Sequence, residues 1–372
     1  MKKLLFVIAL SLMFPVAVHA QHTHAQERRI EFPDVPGYLT LKCDFHLHTV
    51  FSDGSVWPDI RVQEALRDGL DAIALTDHLE YQPHKEDIPH PDRNRSYEIA
   101  VESAGEEVLI ILNGSEVTRD MPPGHSNAIF LEDANRLLMD DSVAVFREAN
   151  RQGAFTFWNH PNWTPQRPNG VAALTDMHRM LIRENLLHGI EVVNDLTYSD
   201  EALQIALDHN LTIIGTSDIH GLVDWQYDVP HGGHRPITLV FATERSAAGI
   251  KEALQARRTA AWFDNTLIGR EAHLLPLIEA SLTIKEATYL GDTSVLSVMI
   301  ENTSDVEYLL DNKSDFTFHA ASDVITIHPH QTTRLDVKTL GRKASIALVF
   351  EVLNAVTAPN THPEVTLEVA VE

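Results

Sequence analysis

Asp44-Phe45-His46-Leu47-His48-Thr49-Val50-Phe51-Ser52-Asp53-Gly54 is the stretch on which the reading of the whole chain turns. The apolar run from Leu39 to Phe45 reads as a strand. In a strand residues i and i+2 face the same way, so His46 and His48 present two imidazoles to one side. Two nitrogens on one face make half of a metal site. The chain has two other such pairs, His22-Thr23-His24 and His328-Pro329-His330, but neither closes an apolar run that opens into polar, turn-forming residues. Here the pair sits where a strand gives way to Ser52, Asp53 and Gly54, and the carboxyl ends of strands are where barrel enzymes gather their chemistry.

The same grammar repeats along the chain. Pro58 early and Gly69 as a stop frame a helix from Trp57 to about Asp68. Leu70 to Leu75 is a buried strand that ends in Thr76-Asp77-His78. A helix near Tyr97 to Glu107 leads to the strand Val108 to Asn113 and the turn Gly114-Ser115-Glu116. His125 departs from the pattern, because it precedes its short strand, Ala128 to Leu131. After a helix from Ser142 to Gln152, Ala154 to Trp158 is a strand ending in Asn159-His160-Pro161. Ala173 to Leu187 reads as helix, Gly189 to Val193 as a strand ending in Asn194-Asp195, and Asp200 to His209 as helix. Leu211 to Gly215 is a strand ending in Thr216-Ser217-Asp218-Ile219-His220.

Strand and helix alternate about seven times, which predicts parallel strands with helical crossovers. An open doubly wound sheet would concentrate its site at one switch point. Metal-ligating residue types at the ends of strands all along the domain instead predict an α/β fold of the distorted (β/α)7, TIM-like barrel kind, over residues 39–273 after a lead-in at 21–38. Beyond about Leu277 helical periodicity fades, and short alternating runs such as Val295 to Ile300 and Val365 to Val371 predict a small all-β sandwich over 277–372. That domain is expected to pack, to oligomerise or to shield the barrel mouth.

Length and charge narrow the field. With 372 residues, 44% of them hydrophobic, the chain can bury a large core and form two domains. Lys2 and Lys3, the apolar run Leu4 to Val18 and the small-x-small Val18-His19-Ala20 have the layout of a signal peptide cleaved after Ala20, which predicts a periplasmic or secreted bacterial protein. No later stretch is long and apolar enough to span a membrane. Cys43 is the single cysteine, so no intramolecular disulfide can form, and its expected place is inside the first strand. Acidic residues number 53 against 29 basic, a net charge of −24 that repels polyanions and argues against nucleic acid as a partner. The oligomeric state is not written in the sequence.

The ordered set His46-Leu47-His48, Asp53, Asp77-His78, Glu116, His125, Asn159-His160-Pro161 and Asp218-Ile219-His220 resembles the motif series of the polymerase and histidinol phosphatase (PHP) superfamily. With the leader and the trailing β domain, the layout is similar to exported phosphodiesterases of that superfamily. The resemblance implies a distorted barrel holding three divalent cations. On it, His46, His48, Glu116 and Asp218 hold one ion, Glu116 bridges to a second with His125 and His160, and Asp53, His78 and His220 hold the third. Glu116, His125, Asp218 and His220 are assigned as the catalytic members, and Asp77 as the group that orients a ligand histidine. The residues alone point the same way: six histidines and three carboxylates exceed what one tetrahedral ion needs and suit a multinuclear site. Zn, Mn and Fe all accept such ligands.

Such ions hold a hydroxide between them and neutralise a phosphoryl oxygen, so the expected reaction is hydrolysis of small organic phosphate esters, diester preferred over monoester. Arg119, Arg167 and Arg235 follow ligand loops and are candidate phosphate contacts, and Trp163 and Trp225 candidate walls for the organic group. Gly-x-Ser-x-Gly and Walker-type loops are absent from the sequence, which removes serine nucleophiles and nucleotide-dependent transfer. The rival enzyme readings are a phosphomonoesterase of the histidinol-phosphatase type and a metal-dependent amidohydrolase or lactonase. The latter class often bridges its metals with a carboxylated lysine, where this chain offers Glu116. A metal-binding surface module is the non-enzymatic rival.

Overall fold

A computed structural model describes residues 29–105 and 108–371. The expected signal peptide, Met1 to Ala20, lies outside the described residues. The barrel strands are β1 (Leu39–Leu47), β2 (Ala72–Leu75), β3 (Ile110–Val117), β4 (Ser126–Ile129), β5 (Phe155–Trp158), β6 (Gly189–Asn194), β7 (Thr197–Tyr198), β8 (Thr212–Thr216), β9 (Ile237–Ala242), β10 (Thr259–Phe263) and β11 (Thr266–Gly269). Around them lie α1 (Pro58–Asp68), α2 (Arg95–Ala104), α3 (Ser142–Arg151), α4 (Asp176–Arg183), α5 (Asp200–Asp208), α6 (Val223–Gln226), α7 (Ala247–Gln255) and α8 (Glu271–Ser281). Helix α1 shows why these boundaries fall where they do. Pro58 sits at its first position, and Gly69 at φ 70° returns its N–H to the carbonyls of Ala65 and Leu66, ending the helix in a left-handed turn.

The strands curl in the order β11-β10-β9-β1-β2-β3-β4-β5-β6-β7, with β8 paired to β6. Pairs β1–β2, β2–β3, β5–β6 and β6–β8 are parallel. The expectation of parallel strands throughout fails at β4, antiparallel to both β3 and β5, and at β9, antiparallel to β1. For β4 the reason is chain length: only residues 118–125 join it to β3, too few for a helical crossover, so the chain turns back on itself. Between β8 and β9 the barrel closes without a ladder. Thr238 Oγ1 accepts from Gly215 N–H at 3.0 Å and donates to its carbonyl at 2.8 Å, and the Thr259 hydroxyl donates to Ile213 O at 2.7 Å. At the rim Leu47 bridges Ile219, which joins the last motif strand to the first.

Inside the barrel Leu41, Cys43, Phe45, Leu112, Phe155, Phe157, Ile214 and Val240 form one apolar plug. Cys43 is fully buried there, and burial pushes its thiol well above the usual range, so it has no catalytic part.

The expected division of the chain at 273–277 falls inside α8, and the first sandwich strand begins directly after it. The strands after α8 are β12 (Leu282–Tyr289), β13 (Val295–Asn302), β14 (Tyr308–Asn312), β15 (Thr317–Phe318), β16 (Val324–Ile327), β17 (Thr332–Lys338), β18 (Ser345–Val352), β19 (Ala355–Val356) and β20 (Glu364–Ala370), all but β19 forming the sandwich. One sheet runs β12-β13-β17-β15 and the facing one β16-β14-β18-β20. Leu274, Leu277 and Ile278 of α8 join barrel and sandwich in one apolar core, and β19 extends the barrel sheet beyond β11. The interface is therefore a packed one, and among the described residues none of the sandwich lines the barrel mouth.

Candidate metal centre

The antiparallel turn at β4 has a functional consequence. Parallel strands bring their carboxyl ends to the mouth, whereas β4 brings its amino end, and so His125 joins the others although it precedes its strand. Glu116 lies within β3, which continues through the expected Gly114-Ser115-Glu116 turn and ends four residues beyond Asn113. The structure brings all nine sequence-predicted ligands to one rim, at the floor of a cleft of about 550 Å³.

Three of the histidines are held in one sense, and a fourth, His78, is held through both ring nitrogens. His46 Nδ1 meets Glu191 Oε1 at 2.8 Å, so its Nε2 is turned to the cluster. Ser52 donates to Asp77 at 2.7 Å, which leaves its oxygen to accept from His48 Nδ1 at 3.2 Å. Thr118 donates to Glu116 O and thereby accepts from His78 Nδ1 at 2.7 Å. His220 Nδ1 donates to the carbonyl of Asp218 at 2.8 Å. His46, His48 and His220 thus spend Nδ1–H on a fixed acceptor and offer Nε2 inward, the arrangement by which outer groups orient metal-binding imidazoles, whereas His78 Nδ1 stands between Thr118 and Glu116 Oε2, 2.6 Å away, and its Nε2 faces Asp53. Asp77 reaches His48 through Ser52, whose hydroxyl donates to it. Gly54 makes the turn possible, since a Cβ there would fall 2.7 Å from Thr49 N.

The inward groups converge. His46 and His48 bring their Nε2 atoms to 3.0 Å of one another, and Asp218 Oδ1 lies 3.2 and 3.1 Å from the two. Glu116 faces two ways: Oε1 lies 3.1 Å from His125 and 3.3 Å from His160, while Oε2 lies 2.6 Å from His78 and 3.5 Å from His48. Asp53 meets His220 Nε2 at 3.1 Å and His78 Nε2 at 3.5 Å. The tight groups are His48-Asp53-His78-His220, His46-His48-Glu116 and His78-Glu116-His125. Their membership differs from the implied partition in that His48 and His78 each stand in two groups, between the ends of the cluster.

The donor set fits divalent cations. Glu116 Oε2, Asp218 Oδ1 and Asp53 Oδ1 are buried and make no well-directed hydrogen bond, although histidine nitrogens stand 2.6, 3.1 and 3.1 Å from them, and His160 Nδ1 is buried without a partner. An orphaned polar atom of this kind costs about 1 to 3 kcal/mol, more if charged, unless something else meets it. Burial opposes charge on Glu116, but His78 and His46 beside it hold the carboxyl well below its usual range. Asp218 is likewise held down, against its burial, by His46 and His48. Burial, with His78 and His220 adjacent, lowers His48 to about 4, so its Nε2 is a bare lone pair at neutral pH. His78 is pushed up to about 10, against its burial, by Glu116 and Asp53, and a bound cation would displace that proton. His160 and Asp218 carry left-handed backbones, φ 28° and 48°, a cost of about 1 to 3 kcal/mol each that the surroundings enforce.

Two functional residues lay beyond the sequence reading. Glu191, mid-strand in β6 and 1% exposed, accepts from Thr216 at 2.6 Å, from His160 N–H at 2.7 Å and from Asn194 at 2.9 Å as well as holding His46. A charged residue inside the apolar run Gly189-Ile190-Glu191-Val192-Val193 was the available signal. Arg61, buried on α1, ties the carbonyls of His48 and Ile219 together at 2.9 and 3.0 Å, and nothing local in the sequence marks it. Glu191→Gln is expected to weaken metal binding and to lower kcat by about 10- to 100-fold with the fold intact. Chelator competition and rates on the same preparation check this; unchanged affinity would remove Glu191 from the centre.

The three arginine assignments are corrected. Arg235 is 1% exposed and lies below the cluster, bound to Asp68 at 2.8 Å and Asp44 at 3.4 Å. Arg119 pairs with Glu80 at 2.8 Å and with Met139 O, and Arg167 bonds Ala173 O and lies over Trp158. None of them lines the cleft. Their hydrogen bonds go to carboxylates and carbonyls of the fold, which sequence position next to a ligand loop does not disclose. Of the two tryptophans, Trp163 lines the cleft, and Trp225 stands outside it, 81% exposed.

A barrel whose strand ends gather six histidines and three carboxylates defines a candidate metal centre. The chain belongs to the PHP family: residues 44–193 match the PHP domain model, and residues 282–368 match an Ig-like domain. A crystal structure of a two-domain protein from Bacteroides vulgatus, containing a predicted PHP-like metal-dependent phosphoesterase, is 44% identical, with a TM-score of 0.86 over 92% of this chain and 98% of that one. PsfC from Pseudomonas syringae (17% identity, TM-score 0.42, 65% of this chain and 96% of that one) is far more distant. So is an amidohydrolase from Chromobacterium violaceum (17%, 0.34, 48% and 87%), and neither carries an argument. No curated protein matches the chain.

Proposed function

We propose that the protein is an exported, metal-dependent phosphodiesterase acting on small organic phosphates at a centre of three divalent cations, Zn, Mn or Fe. The observation that carries the reading is Glu116, whose two oxygens face two different sets of histidines in the one cleft where four buried donor atoms make no well-directed hydrogen bond. His46, His48 and Asp218 would hold one ion with Glu116, His125 and His160 a second, and Asp53, His78 and His220 a third. When bound, such ions supply hydroxide at neutral pH and neutralise charge on a phosphoryl oxygen. Glu116, placed between the two sets of histidines, would join two of the ions, and Asp218, His220 and His125, which line the same cleft, would stand around the reacting group.

Preference for a diester is supported by what the walls lack. Among the described residues no lysine or arginine lines the cleft, so only the bound cations meet the phosphoryl charge. One negative charge suits that better than the two of a monoester. The absence of a lysine from the same lining also leaves the carboxylated-lysine chemistry of amidohydrolases without its residue. Export rests on the Met1 to Ala20 layout.

The test is a rate comparison on a nitrophenyl phosphate monoester and the matched diester, with chelator and then with Zn, Mn or Fe restored singly. Expected are loss of turnover on chelation, recovery with at least one metal, and the faster rate on the diester. Turnover indifferent to chelation, or cleavage of lactones or amides with no phosphate ester touched, would refute the proposal.

A further inference from the structure

Above the floor of carboxylates and histidines, the cleft walls have a distinct chemistry. The loop after β5 contributes Asn162 and Trp163, and the opposite wall contributes Asp195, which follows β6, and Gln226 of α6. The indole of Trp163 is 43% exposed and stands 5.6 Å from the ring of His125 and 5.1 Å from that of His160. It therefore stands beside two of the residues that would hold the cations, where the organic part of a bound ester would reach it. Asp195, held at φ 50°, accepts from Gln226 Nε2 at 2.5 Å through Oδ1. Its Oδ2, the Gln226 carbonyl oxygen and the whole Asn162 amide make no hydrogen bond among the described residues.

We propose that the organic part of the ester is hydroxyl-rich, a sugar or polyol, with its C–H face on Trp163 and its hydroxyls bound by Asn162, Asp195 and Gln226. The inference rests on the phosphoesterase reading above and names the substrate class of that site. Three properties select this class. The walls offer mostly acceptors, a carboxylate oxygen and an amide carbonyl, and hydroxyls are donors that two adjacent acceptors can share. The aromatic face carries the negative part of the ring quadrupole and attracts polarised C–H groups. An alkyl group would leave these polar atoms unpaired, and sites built to bind hydroxyls discriminate strongly against analogues that lack them.

The test uses the metal-loaded protein and three probes, glucose 1-phosphate, ethyl phosphate and phosphocholine, titrated by calorimetry. Glucose 1-phosphate is expected to bind at least about tenfold tighter than ethyl phosphate, and Trp163→Ala or Asp195→Asn to shrink that preference by about tenfold, circular dichroism confirming that each variant is folded. Equal affinity for the sugar and ethyl esters overturns the inference, as does tightest binding of phosphocholine, whose ammonium would use the same indole and carboxylate as a cation site. A sugar preference in binding without turnover of any phosphodiester supports the inference and refutes the hydrolase reading. Metal-dependent turnover of ethyl and glucosyl diesters at equal rates does the reverse.

Discussion

Glu116→Gln is expected to reduce phosphoester hydrolysis by about a thousandfold or more and to lower bound metal by more than one ion per chain. The argument is geometric. Glu116 is 1% exposed, with Oε1 beside His125 and His160 and Oε2 beside His78 and His48. An amide keeps the volume but loses the charge, and one of its two atoms becomes a donor that no cation accepts. Asn159 Nδ2 already donates to Oε1 at 2.8 Å, so an amide nitrogen placed there would also meet a donor. Elemental analysis beside the rate measurement decides it. Full metal content in the variant would show that Glu116 bridges nothing.

The second large effect concerns stability. Arg235→Ala is expected to cost about 3 to 5 kcal/mol, because it strands buried carboxylates without their partner. Arg235 holds Asp68 at 2.8 and 2.9 Å and Asp44 at 3.4 Å, and Asp44 is fully buried beneath His46. Burial raises Asp44 even with Arg235 and Ser217 beside it, so the arginine is what keeps its charge tolerable. Asp44 also accepts from Ser217, the residue before Asp218, at 2.5 Å, which ties the strain at that ligand to the same network. Denaturant unfolding gives the measurement. A variant of unchanged stability that instead binds phosphate esters weakly would return Arg235 to the substrate role its sequence position suggested.

Much of the ligand set was legible because the code is local. His46 and His48 two apart at the end of a strand, and Asp77-His78, Asn159-His160 and Asp218-His220 each closing an apolar run, needed only the expectation of a pleat and of a strand's end to be read, although β1 stops at Leu47 and shifts register between Asp44 and Leu47. His125 was recognised from its place in the family motif series, but its geometry became clear only with β4, because strand direction is a property of pairing and not of the residues paired.

What the sequence by itself determined, then, is the class of barrel, the trailing sandwich and which side chains face the rim, all consequences of period and order along the chain. The tertiary structure alone decided which nitrogen His46 and His48 offer, through Glu191 and Ser52, and which charges are occupied elsewhere, as with Arg235. The physical reason is range: side-chain alternation acts over two residues, whereas the partner of His46 is 145 positions away and that of Arg235 191 positions away. Contacts so remote are fixed by how sheets curl and close.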